Sequence, residues 1–299
     1  MTDAITRRAA TAGLLSLTAA ALPVRPSLDG AAQRVVSIGS CLDLILMEVA
    51  DRRQVAALSH FSRDPDVSIM AARARTFPFT REGAEEVVAL DPDLVLASKR
   101  SGLYTRTALK ARGLRVEEFD VPNKVEDSLD QIHQIAALVG RPDRGEAVVA
   151  RVRAAIAAAA PRPDQPRLSA LIYQPGGLVA GRGTLVGDML ERCGFDNYAS
   201  HYGLKKWGNV SLEALLADPP TVLLAGSRWE GAPSWADRVI SHPALKSLEP
   251  NTFRGVFHQR LLYCGGPVLV QTAAALAKAR EDALAWNAGR PQVLAASRR

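Results

Sequence analysis

Apolar residues along the chain fall into two kinds of run that alternate. RVVSI (34–38), QVAAL (54–58) and RVEEF (115–119) are short and rich in β-branched or aliphatic residues, the pattern of strands. Between and after them lie segments with apolar positions at helical spacing: LDLILMEV (42–49), YTRTALKARG ending at Gly113, and VEDSLDQIHQIAALVG stopped at Gly140. Strands separated by helices at this spacing predict βα units feeding a parallel sheet, so residues 33–140 are expected to form a first α/β lobe. The stretch DRGEAVVARVRAAIAAAAPRPDQP then carries a long Ala-rich helix ended by Pro161, and at ~1.5 Å per residue it reaches about 27 Å, the width of a small domain. The alternation restarts after it, with RLSALIY (167–173) as a strand, a Gly-rich loop, and TLVGDMLERCG as a helix N-capped by Thr184. A helix separating two restarts of one pattern reads as a strut, giving a linking helix at 141–163, a second lobe at 164–290 and a tail at 291–299.

One arrangement occurs in both halves. EEVVALDPDLVLAS (85–98) and EALLADPPTVLLAG (213–226) share spacing: from Glu85 and Glu213, Ala stands four residues on, Pro seven on, an apolar triplet nine to eleven on, and Ala twelve on. Each copy is a short helix broken by proline, which lacks a backbone donor and drives the preceding residue out of the helical region. Each then enters a strand, Leu94-Val95-Leu96 or Val222-Leu223-Leu224, apolar enough to be covered on both faces.

Composition narrows the classes. With 299 residues, 47% hydrophobic and 23% charged, the chain can build one large domain or two of ordinary size. The net charge of +6 is scattered, without a basic run, zinc-finger spacing or aromatic RNA-binding pattern, which argues against nucleic acid as a partner. Residues 1–32 differ in kind: MTDAITRRAATAGLLSLTAAALPV has Arg7-Arg8, an apolar stretch too short to span a bilayer, then small residues and Pro23. This predicts an export signal and a periplasmic protein; the arginine pair fits a twin-arginine signal, and general secretion stays open. No Cys follows the apolar stretch directly, which argues against a lipid anchor. Cys41, Cys193 and Cys264 cannot all pair with one another, so at least one is expected free or buried. Five histidines without HxxxH or HxH spacing show no site for a bare metal ion. An α/β enzyme is the rival class, yet the chain has no G-x-S-x-G elbow and no P-loop, and the loop 181–187 has one residue too many for a dinucleotide fingerprint.

VVSIGSCLDLILMEVA, EEVVALDPDLVLAS, the helix through 143–160, GRGTLVGDMLERCGFDN and VSLEALLADPPTVLLAG together resemble the class III periplasmic substrate-binding proteins, with ALDPDLVLAS the most specific part. These are the soluble components of ABC importers for iron–siderophores, haem and cobalamin. The resemblance implies two α/β lobes, each a mainly parallel sheet flanked by helices, joined by one long α-helix, with ligand in the cleft between them and no catalytic activity or resident cofactor. It further implies a monomer that delivers its ligand to a permease dimer with ATPase subunits, docking through one exposed carboxylate per lobe, here Glu85 and Glu213.

Open α/β sheets bind ligands beyond the carboxyl ends of their strands, so the strand-end loops are the expected contacts. The first lobe offers Ser40, His60, Phe61, Phe79, Lys99 and Arg100, and the second Tyr173, Gln174, Arg182, Trp207, Arg228, Trp229 and Cys264. Aromatic faces beside guanidinium groups suit a bulky chelate carrying negative oxygens. His60 and Cys264 are candidate ligands for a haem iron or corrinoid cobalt, and Tyr104 is the tyrosine a haem site would use. The arginine content puts an iron–siderophore first, cobalamin or haem bound by the same fold next, and an enzyme with an unrecognised site last.

Overall fold

The computed structural model describes residues 30–226 and 242–289. The expected export signal, Arg228 and Trp229, and the tail 291–299 lie outside the described residues.

Two sheets form, one from each half. In the first, β1 (Val35–Ile38), β2 (Val55–Ser59), β3 (Phe79–Thr80), β4 (Leu94–Ser98) and β5 (Val116–Phe119) are all parallel in the order β3-β2-β1-β4-β5. In the second, β6 (Leu168–Tyr173) pairs in parallel with β8 (Phe195–Asn197) and β10 (Val222–Ala225), and β10 with β11 (Phe253–Val256). The hairpin-like β7 (Leu178–Ala180) and β9 (Trp207–Asn209) add antiparallel pairs at the end of β6. Helices α1 (Ser40–Val49), α2 (Ala71–Ala74), α3 (Ala84–Ala89), α4 (Leu103–Ala111) and α5 (Val125–Leu138) belong to the first half. Then come α6 (Pro142–Ala159), α7 (Leu185–Arg192), α8 (Leu212–Ala217) and a last helix, α9 (Leu269–Ala288).

The two matching sequences occupy equivalent places. The first forms α3 and β4, with β4 between β1 and β5; the second forms α8 and β10, with β10 between β6 and β11. Between α3 and Pro92 the chain turns through Asp91 at φ 46°, and the Asp93 carboxylate accepts from the backbone N–H of Gln33 and Arg34 (2.7 and 2.9 Å), aligning β4 with β1. In the second copy Ser169 Oγ accepts from Thr221 N–H at 2.9 Å, which ties the start of β10 to β6 by a different side chain. The repeat therefore conserves the turn and the strand register but not the atoms that set them. Thr184 caps α7 as its position predicts, its hydroxyl accepting from Gly187 N–H at 3.1 Å.

Among the described residues, the largest apolar core spans both halves, with a smaller cluster on the other face of each sheet. It runs from Leu44 and Ile45 of α1 through Ile132 and Ile135 of α5 and Val148 and Val152 of α6 to Leu269 and Leu276 of α9. The central helix α6 is thus packed between α5 and α9 rather than crossing open solvent. Arg280 of α9 adds a polar lock: its buried guanidinium donates to the carbonyls of Ala159 and Cys193, both at 2.6 Å, satisfying the ends of α6 and α7.

Candidate functional site

Beyond the carboxyl ends of β1, β4 and β5 lies a cavity of about 480 Å³. Three first-half loops wall it: Gly39 to Leu42 where α1 begins, Ser98, Arg100 and Ser101 after β4, and Phe119 to Pro122 after β5. Tyr263 and Gly265 close it from the segment that leads into α9. Apolar surface dominates, from Leu42, Ile45, Phe119, Val121 and Pro122, with Ser40, Arg100 and Gln131 supplying polar atoms.

The closing segment is held by tight backbone approach. Gly266 N–H donates to Ser128 Oγ of α5 at 2.6 Å, and a Cβ at Gly265 would stand 2.4 Å from that same oxygen. Gly266 has φ 74°, where glycine is favoured, and a Cβ there would meet Ile45 of α1 at 2.7 Å. Beside it a disulfide joins Cys41 to Cys264, Cα atoms 5.0 Å apart, leaving Cys193 as the free, buried cysteine. Cys264 is therefore corrected as a candidate metal ligand, because its sulfur is bonded to Cys41 and offers no thiolate.

The loop after β4 is shaped by a residue that its own sequence does not advertise. Arg106 of α4 is buried and donates to the carbonyls of Ser98 (2.9 Å), Lys99 (3.2 Å) and Ser101, while its Nε donates to Glu118 at 2.7 Å. Three carbonyls converging on one guanidinium fix the curve that presents Arg100 to the cavity. Lys99 pairs with Asp120 at 2.6 Å across the adjoining loops, both exposed, so it is a rim residue. Arg100 is exposed and its guanidinium has no ion pair among the described residues.

His60 and Phe61 stand in the turn after β2, their ring centroids 4.0 Å apart, and Phe79 on β3 carries the Arg63 guanidinium 4.3 Å from its ring centre. They extend the strand-end surface beyond the cavity without lining it, and Phe61 and Phe79 are both exposed. Asp43 holds this turn from beneath: fully buried, its Oδ2 accepts from Ser59 N–H (2.9 Å) and Ser62 Oγ (2.5 Å). Burial pushes its carboxyl up from 3.8 to about 8, against hydrogen bonds from Ser37, Ser62 and Ser59 that favour the anion. In the folded state this acid holds its proton where the unfolded chain has lost it, so stability declines as pH rises from about 4 to about 8. Asp43→Asn should flatten that decline: its urea midpoint should exceed the native one by more at pH 8 than at pH 5, and a constant difference would contradict the assignment.

The second half supplies fewer of the expected contacts. Tyr173 is corrected: it is fully buried, its hydroxyl donates to Val210 O at 3.1 Å, and burial pushes its phenol up to about 12, so it is a core residue. Gln174 is 2% exposed, and neither atom of its amide has a partner among the described residues. Arg182 folds back onto Glu191 of α7 and does not line the cavity. Trp207 is exposed on β9, opposite Ala180. Tyr104 is 91% exposed at the start of α4. Tyr263, Val121 and Gln131 were not singled out by the sequence; the neighbouring Cys264 pointed toward the first of them.

Glu85 and Glu213 sit in the first turns of α3 and α8, each helix running back to feed a sheet strand, so both stand at the carboxyl edge of their sheets. Their neighbours are otherwise engaged. Glu86 accepts from Thr80 Oγ1 and Arg81 N–H, both at 2.7 Å, and Glu82 accepts from Ser59 Oγ at 2.5 Å. Glu85 is exposed and makes no hydrogen bond or ion pair among the described residues. The exposed Glu213 is held below the usual carboxylate range by its own backbone N–H, then by the Ser211 hydroxyl and by His242 nearby.

Residues 35–250 match the family described as periplasmic binding protein, and the chain belongs to that family. Its members hold their cargo as ligand, and no resident cofactor is implied. The chain is 29% identical over 205 residues to a cobalamin-binding protein of Halobacterium salinarum, an overlap of 67% of this chain and 55% of that one. It thus spans about half the length of that curated relative. Its fold is similar to the periplasmic heme-binding protein RhuT from Roseiflexus sp. RS-1 in apo form, at 25% identity and a TM-score of 0.68 over 85% of this chain and 99% of that one. A periplasmic heme binding protein from Pseudomonas aeruginosa is 27% identical with a TM-score of 0.64, covering 83% of this chain and 92% of its own. Among the described residues no helix is long and apolar enough to cross a membrane, and no cluster of three or more His, Cys, Asp or Glu could hold a bare metal ion.

Proposed function

We propose that the protein is the exported binding component of an ABC importer, capturing a bulky metal chelate at the carboxyl edge of its sheets and delivering it to a membrane permease. The carrying observation is the cavity: predominantly apolar walls, the Arg100 guanidinium without an ion pair among the described residues, and a tyrosine reaching in from the opposite segment. Such walls suit a flat, largely apolar chelate with a peripheral anionic group better than a highly charged one. Arginine content ranked an iron–siderophore first, but Arg182 is turned toward Glu191, which removes part of that support. A tetrapyrrole chelate, haem or a corrinoid, is now the favoured class, consistent with what the similar proteins bind by their descriptions. A ferric siderophore is the second reading, supported by Arg100 and by the similarity in fold to a hydroxamate-transport protein.

Purified protein titrated with haemin, cyanocobalamin and a ferric hydroxamate should show saturable tryptophan quenching with at least one tetrapyrrole. Arg100→Ala should weaken it by roughly tenfold, as expected for a lost charge-assisted contact. Saturation by the hydroxamate alone would favour the second reading, and no saturation by any of the three would remove both.

A further inference from the structure

We propose that the Cys41–Cys264 bridge is a thiol–disulfide exchange site in the wall of the ligand cavity, with a dithiol as co-reactant, and that its reduction loosens the cavity and releases ligand. The consequence for ligand rests on the cavity being the binding site; the exchange reaction does not. Two observations locate the site. Cys41 is half-buried and borders the cavity, whereas Cys264 is only 5% exposed, so a reagent entering the cavity meets the Cys41 sulfur first. The bond also links residues 223 apart in sequence, tying α1 of the first half to the segment that leads into α9.

Among the described residues, that segment is the part of the second half that lines the cavity, through Tyr263 and Gly265. Apart from the disulfide, its hydrogen bonds to the first half among the described residues are Gly266 N–H to Ser128 Oγ (2.6 Å) and Arg260 Nη1 to Pro65 O (3.3 Å), with glycine packing on α5 and α1 and with Leu261, Leu262 and Val268 on either side of Tyr263 in the shared core. The halves themselves stay joined without the bridge. The shared core through α6 and α9 persists, as do the Arg192–Glu126 ion pair at 2.8 Å and the Val125 N–H to Asp188 bond at 2.9 Å. Reduction therefore removes the one covalent tie beside Tyr263 and loosens that wall, while the flanking contacts keep the fold intact.

The chemistry balances with a dithiol. One thiolate attacks Cys41 Sγ, forming a mixed disulfide as the bond to Cys264 breaks and Cys264 leaves as thiolate. The second thiol of the same reagent attacks the mixed disulfide, Cys41 leaves, and the reagent departs as its own disulfide. Its two protons pass to the new protein thiols. A ligand seated in the cavity covers Cys41, so ligand and reductant oppose each other, and the coupling runs equally in both directions.

The test uses the mature protein with dithiothreitol, followed by maleimide labelling and mass spectrometry. Cys41 and Cys264 should label after reduction, while Cys193, whose thiol burial pushes up to about 12, should stay unlabelled and serve as internal reference. Absence of labelling at Cys41 and Cys264 in folded protein would overturn the exchange site. Reduced protein and the Cys41→Ser/Cys264→Ser variant should each bind haemin or cyanocobalamin about tenfold more weakly than oxidised protein. Equal affinity would overturn the release, as would loss of near-ultraviolet circular dichroism on reduction, which would make the bridge a fold staple. If oxidised protein binds neither tetrapyrrole nor the hydroxamate, the cavity assignment falls, and the labelling result still decides whether exchange occurs.

Discussion

Replacing Arg106 with methionine lowers stability by about 2–4 kcal/mol and weakens ligand binding with it. The guanidinium is the shared donor for three loop carbonyls and for Glu118, and methionine fills a similar volume without donating to any of them. The loss at Glu118 is partial, because Lys110 stays within 3.0 Å of its other oxygen. Glu118 is held below the usual carboxylate range by Lys110 first and Arg106 second. Its contribution is thus present at neutral pH and lost as pH falls through that depressed value, so the variant should lose less, relative to native protein, at pH 3 than at pH 7. Arg106→Lys should fall between the two, since an ammonium cannot span the carbonyls that the planar fork reaches. Urea unfolding at both pH values, with ligand titration at pH 7, checks this. An unchanged midpoint together with unchanged affinity would show that the loop after β4 holds its curve without the guanidinium.

Reversing charge at the two acids proposed to dock the permease, Glu85→Lys with Glu213→Lys, should abolish ligand uptake while leaving ligand affinity within about twofold of native. The two side chains stand exposed at the carboxyl edges of their sheets, in the equivalent turns of the two matching segments. A pair of arginine-bearing sites on a two-fold symmetric permease would meet one from each half. Each single reversal should reduce uptake by less than the double one. Because neither side chain supports a neighbouring residue through its own hydrogen bonds outside its helix turn, folding should be little affected. Uptake into proteoliposomes containing the permease and its ATPase, compared with tryptophan quenching in solution, separates delivery from capture. Intact uptake by the double variant would remove the docking assignment, and lost ligand affinity would move both acids into the binding site. Glu82 and Glu86 are poor substitutes in this role, since each is already committed to a hydroxyl beside the start of α3.

Much of this architecture was legible in the chain. The expected strand runs appear as strands that begin at Val35, Val55, Leu94, Val116, Leu168 and Val222, and the Ala-rich stretch is α6. The prolines at 92 and 219–220 sit between a helix and a strand in both halves. Ser40, Arg100 and the segment beside Cys264 were brought to one place, as strand-end loops should be. Other expected contacts went elsewhere. Tyr173 follows the apolar run of β6 into the core because its hydroxyl finds Val210 O there, a partner that no local pattern announces. Arg182 found Glu191 nine positions on, one helix away. Arg106 looks like an ordinary surface arginine in an amphipathic helix until three carbonyls close around it.

By itself the sequence determined which segments are helix or strand, that the sheets are mainly parallel, and that two similar units occur, because periodicity and proline position act within a few residues. The tertiary structure decided which cysteines pair, which loops share a cavity and which arginine is buried. Those outcomes depend on strand order, β3-β2-β1-β4-β5 rather than chain order, and on where the segment before α9 crosses α1 and α5. Contacts between residues as far apart as Cys41 and Cys264 leave no local trace, since each side chain's environment is supplied by chain that folds against it from elsewhere.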